Sequence, residues 1–154
     1  MRNRVDGVAV SKNRMSHCIF CEILSGETPS SIVYQDELCT AFMDIQPVNP
    51  GHVLVIPNAH APFLADLDEE AGAQMFRVAR RIAQALRICG VKCEGVNFFL
   101  ADGEAAMQDV FHVHLHVFPR YKGDGFGLRF SEAYFMKPPR TELDEVAQTI
   151  RNTL

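Results

Sequence analysis

The sequence contains no block of lysines or arginines, and its formal net charge is −4. Because a general nucleic-acid surface requires a basic stripe, this absence argues against a nucleic-acid partner. The sequence also lacks an apolar stretch approaching the roughly 20 residues of a membrane span, which argues against a membrane protein. The basic residues within positions 1–7 are not followed by an apolar segment, so we expect no secretory signal.

Cysteine is present in an odd number, five. An odd count argues against a disulfide framework and favours a cytoplasmic location, where thiols stay reduced. The shares of hydrophobic (47%) and charged (22%) residues are close to the globular average, which favours one domain with a normal core. Residues 1–14 lack apolar periodicity, so we predict a flexible extension there and a single domain over residues 15–154.

The spacing of the apolar residues predicts strands before and after one long helix. The acidic run at 66–70 is typical of a helix N-terminus, and Gly90 is typical of a C-cap. Thr141 is the predicted cap of a final helix. This order favours an α+β fold with a mainly antiparallel sheet. The predicted strands are 32–35, 38–43, 52–56, 96–100 and 110–118.

Three histidines occupy every second position of one segment: His112, His114 and His116. The residues between and around them are apolar, and this strict alternation is the period of a β-strand. One face of the predicted strand over 110–118 is therefore aliphatic and packs on the core, while the other carries three imidazoles. We interpret the histidine face as the working surface of the protein.

The histidine triplet is compatible with two kinds of chemistry. A neutral imidazole, whose unperturbed pKa is about 6.5, is a nucleophile near pH 7 and attacks phosphorus when it is well oriented. Neighbouring imidazoles can then donate hydrogen bonds to the non-bridging oxygens. Two histidines separated by one residue are also common in zinc and iron sites. The triplet alone leaves catalysis and metal binding both open, and a polar strand face without a role is a third interpretation.

A second group of residues favours a structural metal. Cys18 and Cys21 have the spacing of a zinc knuckle, which needs two further ligands. His60 and His112 are candidates, and they would complete a closed site of two cysteines and two histidines. The other two histidines of the triplet would then remain for chemistry. The competing interpretation is a pair of small buried thiols on a short helix, and we favour zinc.

Four segments of this sequence recur together in one known family. The first is the histidine triplet followed by Phe118-Pro119-Arg120. The others are 18–23, 41–47, and 50–57 with His60, in the same order and with the same spacing. On these motifs, which span the chain from about Met15 to Arg120, the sequence resembles the histidine triad (HIT) superfamily.

The resemblance implies a HIT-like α+β fold with an antiparallel sheet, one long helix and a C-terminal helix, and a homodimer. It implies hydrolysis or transfer at the α-phosphate of a purine nucleotide derivative, either a dinucleoside polyphosphate or a nucleoside phosphoramidate. His114 would be the nucleophile that forms a nucleotidyl-histidine intermediate, and His116 would hold an α-phosphate oxygen. His112 would support this site or bind a structural zinc, and no catalytic metal would be required.

The resemblance also implies a nucleotide pocket. Asp44 would accept hydrogen bonds from the ribose hydroxyls, and an acidic residue between two apolar ones has no packing reason to be there. Gln108 would be a further nucleotide-binding residue. Four large apolar residues would form the slot for the base, although such residues near the start of a domain are more often core. These four are Phe20, Ile23, Phe42 and Ile45.

The turn before the first histidine departs from the family pattern. Where the family carries Asn, Gly and Ser or Thr, this sequence has Ala101, Met107 and Asp109, while Gln108 is kept. A carboxylate near a phosphate repels the substrate unless it binds a cation or a positively charged leaving group, or is itself protonated. The family resemblance therefore does not extend to the identity of the leaving group.

Three functions follow from these patterns. The leading hypothesis is a HIT-type nucleotide hydrolase in which His114 is the nucleophile. The second is a nucleotide-binding or interaction module with little catalytic activity. The third is a metal-dependent hydrolase that uses all three histidines of the triplet.

Overall fold

The computed structural model describes residues 18–154. The predicted extension over residues 1–14 lies outside this range. The chain divides into two compact units, one ending at Asp124 and the other spanning Gly125–Leu154. The prediction of a single domain over residues 15–154 stays a prediction. No helix in the described part of the chain has the length and apolar character needed to cross a membrane.

The first unit is built on a five-stranded sheet in the order β1-β2-β3-β5-β4. All four strand pairings are antiparallel. The predicted α+β class with an antiparallel sheet is confirmed. The strands are β1 (Ile32–Gln35), β2 (Cys39–Met43), β3 (Val53–Pro57), β4 (Gly95–Leu100) and β5 (Leu115–Arg120).

Helices cover both faces of this sheet. The long helix α2 (Glu69–Leu86) begins after Asp68, whose side chain accepts the N–H of Ala71 at 3.0 Å. Each large apolar side chain that α2 buries contributes roughly 1.5–3 kcal/mol relative to exposure. The short helix α1 (Ile19–Ser25) packs Phe20 on the opposite face. The α2-side core includes Val53, Val55, Met75, Val78, Ile82, Leu86, Val113, Leu115 and Val117.

The predicted end of the long helix is wrong. Helix α2 stops at Leu86 with Arg87 as its C-cap, rather than at Gly90. One further irregular turn follows, in which the N–H of Cys89 bonds to the carbonyl of Ala85 at 2.9 Å. Gly90 then reverses the chain with a φ of 93°, a left-handed conformation that glycine adopts without steric cost.

The second unit contains the predicted C-terminal helix, α3 (Arg140–Arg151). The predicted cap Thr141 is wrong, because the helix starts earlier in the chain. Pro139 is the N-cap, with φ of −65° and ψ of 154°. The carbonyl of Pro139 accepts the N–H of Leu143 at 3.4 Å. Proline has no N–H of its own to satisfy, so it suits the start of a helix.

One side chain closes the hairpin between β1 and β2 and ties it to α2. Asp36 accepts the backbone N–H groups of Leu38 and Cys39 at 2.8 Å each. It also accepts the Tyr34 hydroxyl and the Gln74 amide at 2.7 Å each. Partial burial raises the pKa of this carboxyl, but the four hydrogen bonds lower it by more, so the net pKa lies well below its usual range.

The strand that carries the histidines is shorter than predicted. Strand β5 begins at Leu115, so the prediction of a strand over 110–118 is wrong for its first five residues. The N–H of His112 bonds to the carbonyl of Val110 at 2.9 Å, and the next N–H bonds to Ala61 at 2.7 Å. These groups are therefore not available to a sheet ladder.

The two-faced character of the same segment is nevertheless present. The side chains at 113, 115 and 117 belong to the core on the α2 side. On the opposite side, the ring of Phe20 contacts those of His112 and His114, with centroids 5.8 and 5.2 Å apart. The segment therefore places its histidines under α1, although two of them precede the strand.

Candidate active site and metal centre

A cavity of about 320 Å³ lies beside α1. It is bounded by residues from α1, from the end of β2, and from the segment that leads into β5. Most of the predicted site residues meet there. Those that line the cavity are Phe20, Ile23, Phe42, Asp44, Ile45, His114 and His116, together with Asp109.

His114 presents one ring nitrogen to this cavity. Its side chain is 2% exposed, and its Nδ1 lies 2.8 Å from the backbone carbonyl of His112. A carbonyl oxygen only accepts hydrogen bonds, so Nδ1 carries the proton and Nε2 keeps its lone pair in the neutral ring. A lone pair directed at the substrate is what nucleophilic attack requires.

A chain of two hydrogen bonds assigns the proton of His116. The backbone N–H of Val48 donates to Nδ1 of His52 at 3.1 Å, so the neutral ring of His52 carries its proton on Nε2. That Nε2–H donates to Nδ1 of His116 at 2.9 Å. The His116 proton is thereby assigned to Nε2. Burial lowers the pKa of His116 to about 4 and also lowers that of His52, so both rings are neutral near pH 7.

Asp44 lies next to these two histidines. Its side chain is 16% exposed, and Oδ1 accepts the N–H of Gln46 at 2.8 Å. Oδ2 lies 3.5 Å from Nε2 of His52 and 3.9 Å from Nδ1 of His116. An ionised carboxylate offers about four acceptor positions, so it retains capacity for hydroxyl donors in the cavity.

The close approach of Asp44, His52 and His116 also raises the question of a metal site. Because Nδ1 of His52 accepts the Val48 N–H, its Nε2 is protonated and has no lone pair for a metal. The 2.9 Å between the two ring nitrogens is also shorter than the roughly 3.3 Å between nitrogen ligands of a tetrahedral zinc. We therefore interpret His52 and His116 as a hydrogen-bonded pair that lies beside Asp44.

The predicted slot for the base is formed by side chains in very different surroundings. Phe20 and Phe42 are 6% and 3% exposed and pack edge to face, with ring centroids 5.6 Å apart. They belong to the core on the α1 side as well as to the cavity wall. Ile45 is 99% exposed at the same cavity. A planar apolar ligand would therefore cover Ile45 and contact a wall that is already rigid.

Gln108 is not brought to the cavity. Its side-chain oxygen accepts the N–H of Gly103 at 2.7 Å, and its amide donates to the carbonyls of Pro62 (2.8 Å) and Val110 (3.2 Å). These bonds use the side chain to brace the turn before the histidines. Gln108 therefore holds the loop before the histidines in place and does not itself line the cavity.

The three residues that depart from the family pattern lie in different surroundings. Ala101 is buried. Met107 has a φ of 69°, a left-handed conformation in which a side chain is strained and which glycine adopts freely. The side chain of Asp109 is 88% exposed, and its Oδ1 lies 3.9 Å from Nε2 of His114. One departure therefore places a carboxylate beside the nitrogen that would attack the substrate.

The four predicted metal ligands come together beside the cavity. The ligand atoms of Cys18, Cys21, His60 and His112 all lie within 4.8 Å of one another. Nδ1 of His60 lies 3.3 Å from Nδ1 of His112. Three distances from a cysteine sulfur to a histidine Nδ1 are 3.4, 3.5 and 3.7 Å.

These separations match the ligand set of a tetrahedral zinc. Zn–S bonds of about 2.3 Å and Zn–N bonds of about 2.0–2.1 Å place a sulfur and a nitrogen about 3.6 Å apart and two nitrogens about 3.3 Å apart. The proton of His112 is also correctly placed, because its Nε2 lies 2.8 Å from the carbonyl of Pro57 and donates to it. Nδ1 therefore keeps a lone pair toward the thiols, as a metal ligand with an outer hydrogen bond does.

The pKa values of His112 and Cys21 are compatible with a bound zinc. Burial lowers the pKa of His112 to about 4, so the ring is a neutral ligand near pH 7. Burial, together with the hydrogen bond to Cys18, raises the pKa of Cys21 to about 11. A bound divalent metal stabilises the thiolate and offsets this penalty. The residues therefore fit zinc in identity, spacing and proton placement.

The histidine triplet serves two separate places. His112 faces the two cysteines, whereas His114 and His116 face the cavity. Within residues 18–154, no group of potential metal ligands contains all three histidines. This geometry does not support a metal site built on the whole triplet.

Three residues near the cavity were not predicted from the sequence. His52 bonds to His116, and the cavity is also lined by Thr28 and Ser30. The only local signal for His52 is a polar residue at the start of an otherwise apolar strand segment. Its contact with His116 comes from the pairing of β3 with β5, in which Leu54 lies opposite His116. That register is a long-range property of the sheet.

Comparison with known proteins places this geometry in a family. Residues 25–123 match the HIT domain. Over 116 residues the chain is 45% identical to an uncharacterized HIT-like protein of Borreliella burgdorferi, covering 75% of this chain and 84% of the relative. Over 119 residues it is 33% identical to adenylylsulfatase HINT3 of Arabidopsis thaliana, covering 77% of this chain and 60% of that protein.

Solved structures give the same answer. A zinc-bound histidine triad family protein from Mycobacterium smegmatis is 44% identical, with a TM-score of 0.69 over 75% of this chain and 83% of that one. A HIT family protein from Bacillus anthracis is 38% identical, with a TM-score of 0.82 over 90% and 98% of the two chains. The predicted HIT-like fold is confirmed by these similarities. Together with the matched domain, they show that the chain belongs to the HIT family.

Proposed function

We propose that the protein is a nucleotidyl hydrolase or transferase. It cleaves at the α-phosphate of a purine nucleotide derivative through a nucleotidyl-histidine intermediate on His114. The observation that carries this proposal is the hydrogen bond from Nδ1–H of His114 to the carbonyl of His112. It leaves Nε2 as an unprotonated nitrogen on the wall of a nucleotide-sized cavity.

In the first step, the lone pair of Nε2 of His114 attacks the α-phosphorus. The N–P bond forms while the bond from phosphorus to the leaving group breaks, and the leaving group departs with that electron pair. Negative charge develops on the non-bridging oxygens. The Nε2–H of His116 donates to one of them, and a preorganised donor of this kind is worth about 2.7–4 kcal/mol in comparable sites.

In the second step, water attacks phosphorus and loses a proton to solvent while the N–P bond breaks. The electron pair returns to Nε2 of His114, and the mononucleotide is released. Transfer to another acceptor follows the same path with that acceptor in place of water. Because the hydrogen bond to His112 is kept throughout, the ring returns to its starting proton arrangement.

The nucleoside half is held on the other side of the cavity. Asp44 accepts hydrogen bonds from the ribose hydroxyls through the acceptor positions that the N–H of Gln46 leaves open. Phe20 and Phe42 provide a flat apolar wall for the base, and Ile45 closes over it. Adenylylsulfatase HINT3, a relative whose name indicates cleavage of an adenylyl compound, supports an adenine nucleotide as the substrate class.

We also propose that Cys18, Cys21, His60 and His112 hold a structural zinc. The zinc-bound relative from Mycobacterium smegmatis supports this proposal. The ion would crosslink the segment before α1 to the segments that follow β3 and precede β5. The catalytic steps use none of its chemistry. A homodimer, which rests on the family resemblance, and a cytoplasmic location, which rests on the odd number of cysteines, complete the proposal.

The test is the substitution His114→Ala, assayed with a diadenosine polyphosphate and with an adenosine phosphoramidate. Loss of a covalent nucleophile lowers turnover by about a thousand-fold or more. Binding of AMP, measured by calorimetry, should change little, because Asp44 and the apolar wall are untouched. An AMP adduct, trapped under alkaline conditions, should map to the peptide that contains His114 in the wild type. Unchanged hydrolysis by the variant would refute the proposal.

A second candidate is a nucleotide-binding module with little catalysis. The observation that favours it is the carboxylate of Asp109, which lies 3.9 Å from the attacking nitrogen and repels an incoming phosphate. This candidate predicts that the wild type binds AMP but hydrolyses neither substrate class. The two functions therefore differ in one assay on the unaltered protein.

A further inference from the structure

The charges around the cavity are unusual for a site that binds phosphate. Two carboxylates, Asp44 and Asp109, line it, and no lysine or arginine is among the described residues of its wall. Asp44 is accounted for by the nucleoside half of the substrate. Asp109 has no such partner in the proposed reaction.

Asp109 is free to meet a ligand. Its side chain is 88% exposed, and its hydrogen bond within the described residues is to the N–H of the adjacent Val110, at 2.9 Å. Its Oδ1 also lies 3.9 Å from Nε2 of His114, whose ring is neutral in the proposed mechanism. The carboxylate therefore faces solvent at the cavity, and no lysine or arginine within residues 18–154 pairs with it.

The position of Asp109 in the fold assigns it to the leaving group. The nucleoside is held by α1 and the end of β2, which carry the apolar wall and Asp44. Asp109 comes from a different segment, between β4 and β5, which also carries the nucleophile. Because its Oδ1 lies 3.9 Å from Nε2 of His114, the carboxylate lies beside the phosphorus that this nitrogen attacks. A charged substituent on the leaving group then lies within the screening length of about 8–10 Å from Asp109.

The two substrate classes in the proposed function differ in the charge of this group. A dinucleoside polyphosphate brings several further negative charges to Asp109, and like charges at close range repel. A phosphoramidate brings an amine, whose substituent can be positive, neutral or negative. A carboxylate near the departing amine attracts a cationic substituent and repels an anionic one.

We infer that Asp109 selects nucleoside phosphoramidates whose leaving group is an amine bearing a second, positively charged group. This inference rests on the proposed function and names its substrate class. The N–P bond to His114 forms as the P–N bond of the substrate breaks. The amine keeps the electron pair and takes a proton from solvent, and water then releases the mononucleotide. Asp109 takes no proton in this sequence and is a specificity residue.

The experiment compares three adenosine phosphoramidates of similar size, made from ethylenediamine, propylamine and glycine. Their free ends are positive, neutral and negative. For the wild type we expect kcat/KM to fall in that order, by about three- to five-fold per step, which is the size of an exposed ion pair. Raising the salt concentration should compress the series, because exposed charges are screened.

The variant Asp109→Asn keeps the shape of the side chain and the acceptor for Val110 while removing the charge. We expect the series to flatten to within about two-fold. Glu104→Gln is the matched control, since it removes a carboxylate from the same loop but does not line the cavity. Its series should match the wild type. Ratios are measured within one protein, so a partly folded preparation does not alter them.

The outcomes separate this inference from the proposed function. Turnover of all three compounds with no dependence on charge, or the same dependence in the wild type and Asp109→Asn, overturns the inference alone. If neither the three phosphoramidates nor a diadenosine polyphosphate is turned over, the proposed function is overturned and the inference falls with it. Preference for the diadenosine polyphosphate over the ethylenediamine compound also overturns the inference.

Discussion

His52 makes two hydrogen bonds, one with the N–H of Val48 and one with His116, and two substitutions can remove them one at a time. In His52→Asn, the side-chain oxygen replaces Nδ1 and still accepts the Val48 N–H, but no donor reaches His116. In His52→Gln, the amide nitrogen reaches the position of Nε2 and still donates to His116, while Val48 loses its acceptor. Each variant therefore breaks one of the two bonds that assign the protons in this chain.

The size of the effect follows from burial. His52 is 3% exposed, so neither bond is readily replaced by water. Leaving a buried partner unsatisfied costs about 1–3 kcal/mol, and we expect both variants to lose stability by about that amount. In His52→Asn the ring of His116 is also free to carry its proton on Nδ1, which removes the donor to the phosphate. At about 1.4 kcal/mol per ten-fold, kcat should fall about ten-fold or more.

Two measurements check this prediction. Initial rates with an adenosine phosphoramidate should give a kcat for His52→Gln within about three-fold of the wild type, and a much lower one for His52→Asn. Urea denaturation should show that the two variants are destabilised alike. The imidazole nitrogen chemical shifts of His116 report the proton position directly. If the two variants have equal rates, or if His52→Asn is the faster, the assignment of the His116 proton is wrong.

Two further predictions concern stability. Replacing a metal ligand in Cys21→Ser, or removing zinc with a chelator, should lower the unfolding temperature measured by calorimetry. Excess zinc should restore that temperature only in the wild type. An unchanged transition would contradict the zinc assignment. Asp36→Asn should cost about 1–2 kcal/mol at pH 7, because the hydrogen bonds from Tyr34 and Gln74 lose a charged acceptor. Since the folded-state pKa of Asp36 is depressed, its stabilisation is present above the unfolded pKa of about 3.9 and is lost as pH falls. The difference in unfolding free energy between wild type and variant should therefore shrink progressively below about pH 4. A constant difference in urea titrations across this range would argue against this prediction.

Much of the fold was predictable because local chemistry determines it. The acidic run before α2 supplies the N-cap Asp68. The hairpin at Asp36 lies between the predicted strands 32–35 and 38–43. The end of the long helix was not predictable from Gly90, since an irregular turn after Leu86 intervenes. Propensity identifies a glycine that reverses the chain, but the number of turns before it depends on packing against the sheet.

The candidate site divides in the same way. Ligand chemistry alone brought Cys18 and His112, 94 positions apart in the chain, into one predicted cluster. The strand over 110–118 was overextended because apolar alternation records which side chains face the core and does not record backbone pairing. His52 was missed because only the register of β3 on β5 connects it with His116.

His112 belongs to two sites through two different parts of the same residue. Its ring faces the cysteines, while its carbonyl oxygen holds the proton of His114. A carbonyl is present whatever the side chain, so a homologue with another residue at this position keeps the acceptor that orients the nucleophile. Alanine scanning of the triplet would therefore score His112 for its ring alone. The hydrogen bond that, in the proposed mechanism, leaves Nε2 of His114 unprotonated is accepted by the main chain, so comparisons of side chains do not detect it.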